Sequence, residues 1–224
     1  MESGGFLKYG RVIFAGMEFR RLERAGYSIE LFVPDRHAVR DGYLAMKASG
    51  LEPAFPHWAK LWPAALAMGD LIFQRPELVK GLQVLELAAG LGLPSLVAAR
   101  YAGAAFVCCS DYMEEAVECM AASVAHLGLS NVSCRVLDWN DLPSGLSCDV
   151  LLLSDINYDP ASFEILYGVL EVFLLRGVTI LLSTPQRLMA KPFIERLLPF
   201  CREQVEMEVG ETAVSLLVLM AKNR

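Results

Sequence analysis

The chain has 224 residues, 54% of them hydrophobic, with a formal net charge of −6 and a sequence pI near 5.2. This length suits one domain with an N-terminal extension, and no run approaches the ~18 uncharged apolar residues of a spanning helix, so no membrane partner is expected. The acidic balance, with no basic cluster longer than "RRLER", argues against nucleic acid as a partner.

The N-terminus, "MESGGFLKYGRVIF", lacks the basic region, apolar run and small-residue cleavage site of a secretory signal, so a cytoplasmic location is expected. Two β-rich runs follow, "RVIFAGMEF" and "YSIELFV", separated by a charged turn ending in Gly26. They predict a β-hairpin, and residues 1–50 are read as that extension, with the main domain over 51–224. In "HWAKLWPAALAMGDLI", Pro63 takes a first helical position and Leu66, Met68, Leu71 and Ile72 supply an apolar face.

Strands and helices then alternate. "QVLEL" reads as a buried strand, "PSLVAARYAG" as a helix, "AFVCCSD" as a strand, and "MEEAVECMAASVAHLG" as a helix stopped by Gly128. "NVSCRVLDW" and the wholly apolar "CDVLLLSDI" are strands, followed by the helix "SFEILYGVLEVFLL", the strand "VTILLST" and the helix "KPFIERLLPF". All-apolar strands alternating with helices predict an α/β fold, a doubly wound, mostly parallel sheet covered on both faces. "QVEMEV" and "AVSLLVLM", joined by "GET", leave no room for a crossover helix and must pair as a C-terminal antiparallel hairpin. The six cysteines, at 108, 109, 119, 134, 148 and 201, form no C-x-x-C pair; they read as reduced thiols, and no metal site is expected.

In open parallel sheets, ligands bind at the carboxyl ends of strands, where the strand order reverses. That places "LELAAGLGLPS" at the centre of the site: Gly90 and Gly92 offer bare backbone, and Glu86 puts a carboxylate in the strand end. A dinucleotide fingerprint would ask for a glycine at Ser95, and a carboxylate beside a pyrophosphate is repulsive. Glu86 instead suits a ligand with an ammonium group and no phosphate. Asp111, ending the second strand of the alternation, is placed to accept hydrogen bonds from ribose hydroxyls in either case.

"VLELAAGLGLPS", the "SD" ending the next strand, "LDWND" and "SDINYDP" resemble the seven-strand S-adenosylmethionine-dependent methyltransferases. Within them the chain is similar to the family 16 lysine methyltransferases and to nicotinamide N-methyltransferase-like proteins. The resemblance runs from about Phe55 to the C-terminus and implies a Rossmann-like seven-strand sheet and S-adenosylmethionine as cofactor, with S-adenosylhomocysteine as product. It implies that Glu86 and Gly90 hold the methionine end, that Asp111 binds the ribose and that Asp138 and Trp139 lie beside the adenine. Trp58 and Trp62 match the tryptophan-bearing segment lining the cofactor pocket, and Ser154 opens the motif after the fourth strand. Asp155 to Tyr158 reproduces a D-x-x-Y motif. Ala88 departs from the pattern, standing where the first glycine of the loop usually is.

The chemistry thus implied is methyl transfer from a sulfonium to an amine. Asp155 and Tyr158 are the catalytic candidates that orient the amine, with Asn157 as a further hydrogen-bonding wall. Structural readings stand beside these roles: Asp111 and Asp155 could cap helices, Tyr158 could cover the core, Trp139 could pack at the sheet edge, and Trp58 and Trp62 could be core. The leading expectation is a monomeric N-methyltransferase acting on a protein lysine. Alternatives are methylation of a small amine or pyridine-type nitrogen, a nicotinamide-dependent oxidoreductase, and a non-catalytic binding module.

Overall fold

The computed structural model describes residues 17–24, 26–53 and 55–221. It opens on an antiparallel hairpin, β1 (Glu18–Arg24) and β2 (Tyr27–Val33). The charged "RRLER" read as a turn is therefore strand: β1 is almost wholly exposed, so its outer face tolerates charge while its backbone pairs with β2. Of "RVIFAGMEF", positions 11–16 lie outside the described residues. The following helix, α1 (Arg36–Ala48), was not anticipated. Its signal is local: Asp35 accepts from the His37 and Ala38 backbone N–H groups as an N-cap, directly after Pro34.

The remaining elements follow the expected alternation. They are α2 (Pro63–Gln74), β3 (Gln83–Glu86), α3 (Leu93–Arg100), β4 (Phe106–Asp111), α4 (Glu114–Leu127), β5 (Val132–Val136), β6 (Val150–Ser154), α5 (Phe163–Leu175), β7 (Thr179–Pro185), α6 (Lys191–Leu197), β8 (Cys201–Val209) and β9 (Thr212–Leu219). Seven strands form one sheet in the order β5-β4-β3-β6-β7-β9-β8. β3 to β7 pair in parallel, whereas β9 runs antiparallel to both β7 and β8, which is the expected terminal hairpin. Among the described residues, no helix is long and apolar enough to cross a membrane.

The period of two along each strand divides the core into two layers. Val84, Val107, Val150, Leu152 and Leu181 join the cluster with α2, α3 and α4, while Leu85, Leu151, Leu153, Ile180 and Leu182 join the one with α5 and α6. The order reverses beside β3, whose neighbours β4 and β6 lead to opposite wings, so the loops after β3 and β6 diverge and open a crevice between them.

The N-terminal hairpin shares this core. Ile29 and Leu31 belong to the first cluster, and Ser123 of α4 accepts from the Phe32 backbone N–H at 2.9 Å. A polar anchor completes the attachment: Asp70 of α2, 7% exposed, accepts from both ends of the Arg24 guanidinium and from Tyr27 Oη at 3.2 Å. Burial and the neighbouring Asp70 carboxylate raise the Tyr27 phenol above its ordinary range. Asp70→Ala leaves a guanidinium and a phenol partly buried and unpaired, so it is expected to cost about 3 kcal/mol in denaturant unfolding, against less than about 1 kcal/mol for a surface ion pair.

Candidate active site

Five strand ends and one overlying segment build a single cleft. The loop after β3 contributes Ala88, Ala89 and Gly90; the end of β4 contributes Asp111, Tyr112 and Met113; Trp139 follows β5. From the far side come Ser154, Asp155, Ile156 and Tyr158 after β6 and Arg187 after β7, while His57 to Trp62 lie across the top. Of the residues singled out in the sequence, Trp58, Trp62, Ala88, Gly90, Asp111, Trp139, Ser154, Asp155 and Tyr158 line this one space.

The β3 loop is shaped by left-handed backbone. Gly90 has φ +57, and a Cβ there meets the Trp58 carbonyl oxygen at 3.2 Å, so its bareness lets the Trp58 segment close over the loop. Ala88 adopts φ 52 where the family pattern has glycine, a conformation that costs an L-residue about 1 kcal/mol. Asp111, 3% exposed, fastens the loop: Oδ2 accepts from Gly90 N–H at 2.9 Å and Oδ1 from Met113 N–H at 3.0 Å. Burial raises its pKa. It therefore serves the start of α4 and lines the cleft at once, combining the two readings of this acid. Each carboxylate oxygen keeps a lone pair for a further donor.

Four singled-out residues do not reach the cleft lining. Gly92 (φ +72) is bare for the core, since a Cβ there meets Cys109 Sγ at 2.8 Å and Met120 at 3.0 Å. Asp138 is exposed and accepts from the Asn140 N–H at 2.9 Å, forming the turn that presents Trp139. Asn157 is fully buried, its Oδ1 accepting from Thr184 Oγ1 at 2.8 Å, so the further hydrogen-bonding wall points into the core. Glu86 is 0% exposed behind the loop; its Oε2 accepts from Ser95 N–H at 3.0 Å at the start of α3, and Oε1 has no partner. Burial first, and the nearby Asp111 charge second, push its carboxyl up to about 8, against the Ser95 hydrogen bond.

Several lining residues were missed, Arg187, Lys60, Tyr112 and Met113 among them. Arg187 pairs through both its terminal nitrogens with Asp155, whose side chain is only 7% exposed and whose backbone is left-handed at φ 59. The signal available was weak: a lone cation two residues beyond a strand end. Tyr112 and Met113 simply continue from Asp111. His57 also lines the cleft, with its ring 4.8 Å from that of Tyr158 and 4.7 Å from that of Phe55. Burial lowers its pKa, and the Asp155 charge opposes that shift.

The lining discriminates between ligands. It holds two cations, Arg187 paired with Asp155 and Lys60 resting over the Trp62 ring at 4.2 Å, so among the described residues it has no cluster of cations to hold a pyrophosphate. A nearly buried carboxylate beside the Tyr112 and Trp139 rings offers a diol acceptor and flat apolar faces, the chemistry of a nucleoside. The donor set fits S-adenosylmethionine.

Comparison with known proteins leads the same way. Residues 57–199 match the family described as lysine methyltransferase. The chain belongs to the lysine methyltransferase family. Among curated members, it is 32% identical over 142 residues to a protein-lysine N-methyltransferase EFM3 of Chaetomium thermophilum, covering 57% of this chain and 42% of that one. It is 25% identical over 109 residues to the human histone-arginine methyltransferase METTL23, covering 46% and 57% of the two chains. The chain spans about half the length of these relatives. Among solved structures, the Thermus thermophilus 16S rRNA methyltransferase RsmC in complex with AdoMet and guanosine superposes with a TM-score of 0.63 at 19% identity, over 92% of this chain and 51% of that one. At this identity the likeness establishes the fold, a Rossmann-like methyltransferase sheet.

Proposed function

We propose that the chain is an S-adenosylmethionine-dependent N-methyltransferase acting on a lysine side chain of a protein. The observation that carries this reading is that one cleft holds the Asp111 end and the Asp155–Tyr158 end together. When bound, S-adenosylmethionine supplies an electrophilic methyl carbon on a sulfonium. In this reading Asp111 accepts from the ribose hydroxyls, Tyr112 and Trp139 flank the base, and Glu86 acts indirectly by tying the loop to α3. Asp155, fixed by Arg187, presents a negative charge that attracts and orients the substrate ammonium. Tyr158 and Trp62 supply aromatic walls that favour a cation over water.

A protein substrate is supported over a small amine by the open mouth: Tyr158 is 40% exposed and Lys60 is exposed, leaving room for a polypeptide to approach. A cytoplasmic location belongs to the same proposal, supported by six free thiols.

Asp111→Ala is expected to weaken S-adenosylmethionine binding by about 1.5–3 kcal/mol, a roughly ten- to hundredfold rise in Kd by calorimetry. Unchanged affinity would remove Asp111 from the ribose role. The function itself is tested by supplying isotope-labelled S-adenosylmethionine with a protein lysate and mapping the label by mass spectrometry. Label on lysine Nζ supports the reading; label confined to arginine or to small molecules reassigns the acceptor.

A further inference from the structure

Lys60 lies in the cleft. It follows the 3-10 turn His57–Ala59 with extended backbone at φ −132 and ψ 140, so residues 60 and 62 project to the same side. Its Nζ rests 4.2 Å from the Trp62 ring centroid. Both residues line the space that also holds His57, Asp155 and Tyr158. Among the described lysines, at 47, 60, 80 and 191, only Lys60 lines it. Lys60 is exposed and forms no ion pair among the described residues.

A lysine ammonium is thus already presented, uncommitted to any carboxylate, in the cleft proposed to methylate lysine. We propose that Lys60 is a methyl acceptor of this protein's own activity, an automethylation site in the cleft. The inference rests on the proposed function. The step balances: Nζ of Lys60 gives up a proton to a base, and its lone pair attacks the methyl carbon. The Nζ–C bond forms as the C–S bond breaks, and sulfur keeps the electron pair, leaving S-adenosylhomocysteine, N-methyl-lysine and a released proton. His57, a lining imidazole whose pKa burial lowers against the Asp155 charge, is an available proton acceptor. The product keeps its positive charge and gains apolar surface, so its contact with the Trp62 indole is retained or strengthened. A methylated Lys60 therefore stays in the cleft and competes with an incoming side chain for that ring.

The test is to incubate the purified protein alone with trideuteromethyl S-adenosylmethionine, whose label separates new methylation from any acquired during expression. Intact mass and peptide fragmentation then read the site, with a parallel incubation containing a protein lysate. The expected result is label on the peptide carrying Lys60, assigned to Nζ, and its loss in Lys60→Arg, which keeps a cation over Trp62. Label on lysate proteins with none on Lys60 overturns the proposal while leaving the methyltransferase reading intact. Label on neither, with S-adenosylmethionine bound by calorimetry, overturns both.

Discussion

Asp155→Ala is expected to slow methyl transfer by about a hundredfold or more while S-adenosylmethionine affinity changes by only a few-fold. Asp155 directly follows strand β6 on the side of the cleft away from Asp111, in a left-handed conformation that its short polar side chain tolerates. Its backbone N–H donates to the Ser183 carbonyl at 2.9 Å, and its carboxylate takes both Arg187 nitrogens, so position and charge are fixed before substrate arrives. Alanine removes the charge and also frees a guanidinium whose side chain is 29% exposed. Asp155→Asn therefore accompanies it: the amide preserves size while abolishing the negative charge, and turnover is expected to stay low. Single-turnover methylation beside calorimetric binding separates the steps. Lost binding with normal turnover at saturation would move Asp155 to the cofactor end.

Glu86→Gln is expected to stabilise the protein at pH 8.5 and to leave it nearly unchanged at pH 4. The unfolded carboxyl titrates near 4.5, whereas burial pushes the folded one up to about 8. Between these values the folded state keeps a proton that the unfolded state has lost, so stability falls as pH rises through the window. At about 1.4 kcal/mol per unit, the penalty above pH 8 is on the order of 5 kcal/mol. Glutamine mimics the protonated acid and can still accept from Ser95 N–H, so the difference between the variants should open progressively from pH 5 to 8. Denaturant midpoints at four pH values measure it. A constant difference across the range would show that the Glu86 carboxyl carries no such shift. The acid ties the Ser95 N–H at the start of α3 to β3, and the glycine loop hangs between them.

The sheet was readable because its signals are local and strong. The run "DVLLLSDI" can bury both faces only inside a covered parallel sheet, and "GET" is too short to be anything but a hairpin turn. β1 was misplaced because charge on an exposed edge strand resembles the charge of a turn, and α1 because its apolar positions are sparse beside its charges. In the site, the acids at strand ends were legible, since a carboxylate in an apolar strand demands an explanation. Side-chain direction was not. Gly92 and Gly90 look alike in sequence, yet one clears space for Met120 and the other for Trp58. Asn157 turns inward to Thr184 from the middle of a motif whose ends face the cleft. Arg187 lies 32 residues from Asp155, and only the β6–β7 pairing brings them together.

The most direct measurement is calorimetric titration of the purified protein with S-adenosylmethionine, S-adenosylhomocysteine and NAD. Saturable micromolar binding of the first two, with no heat from NAD, is the expected result, because the cleft offers a diol acceptor and aromatic faces but, among the described residues, no cluster of cations to hold a pyrophosphate. Binding of NAD alone, or of none of the three, would contradict the assignment of this cleft to S-adenosylmethionine.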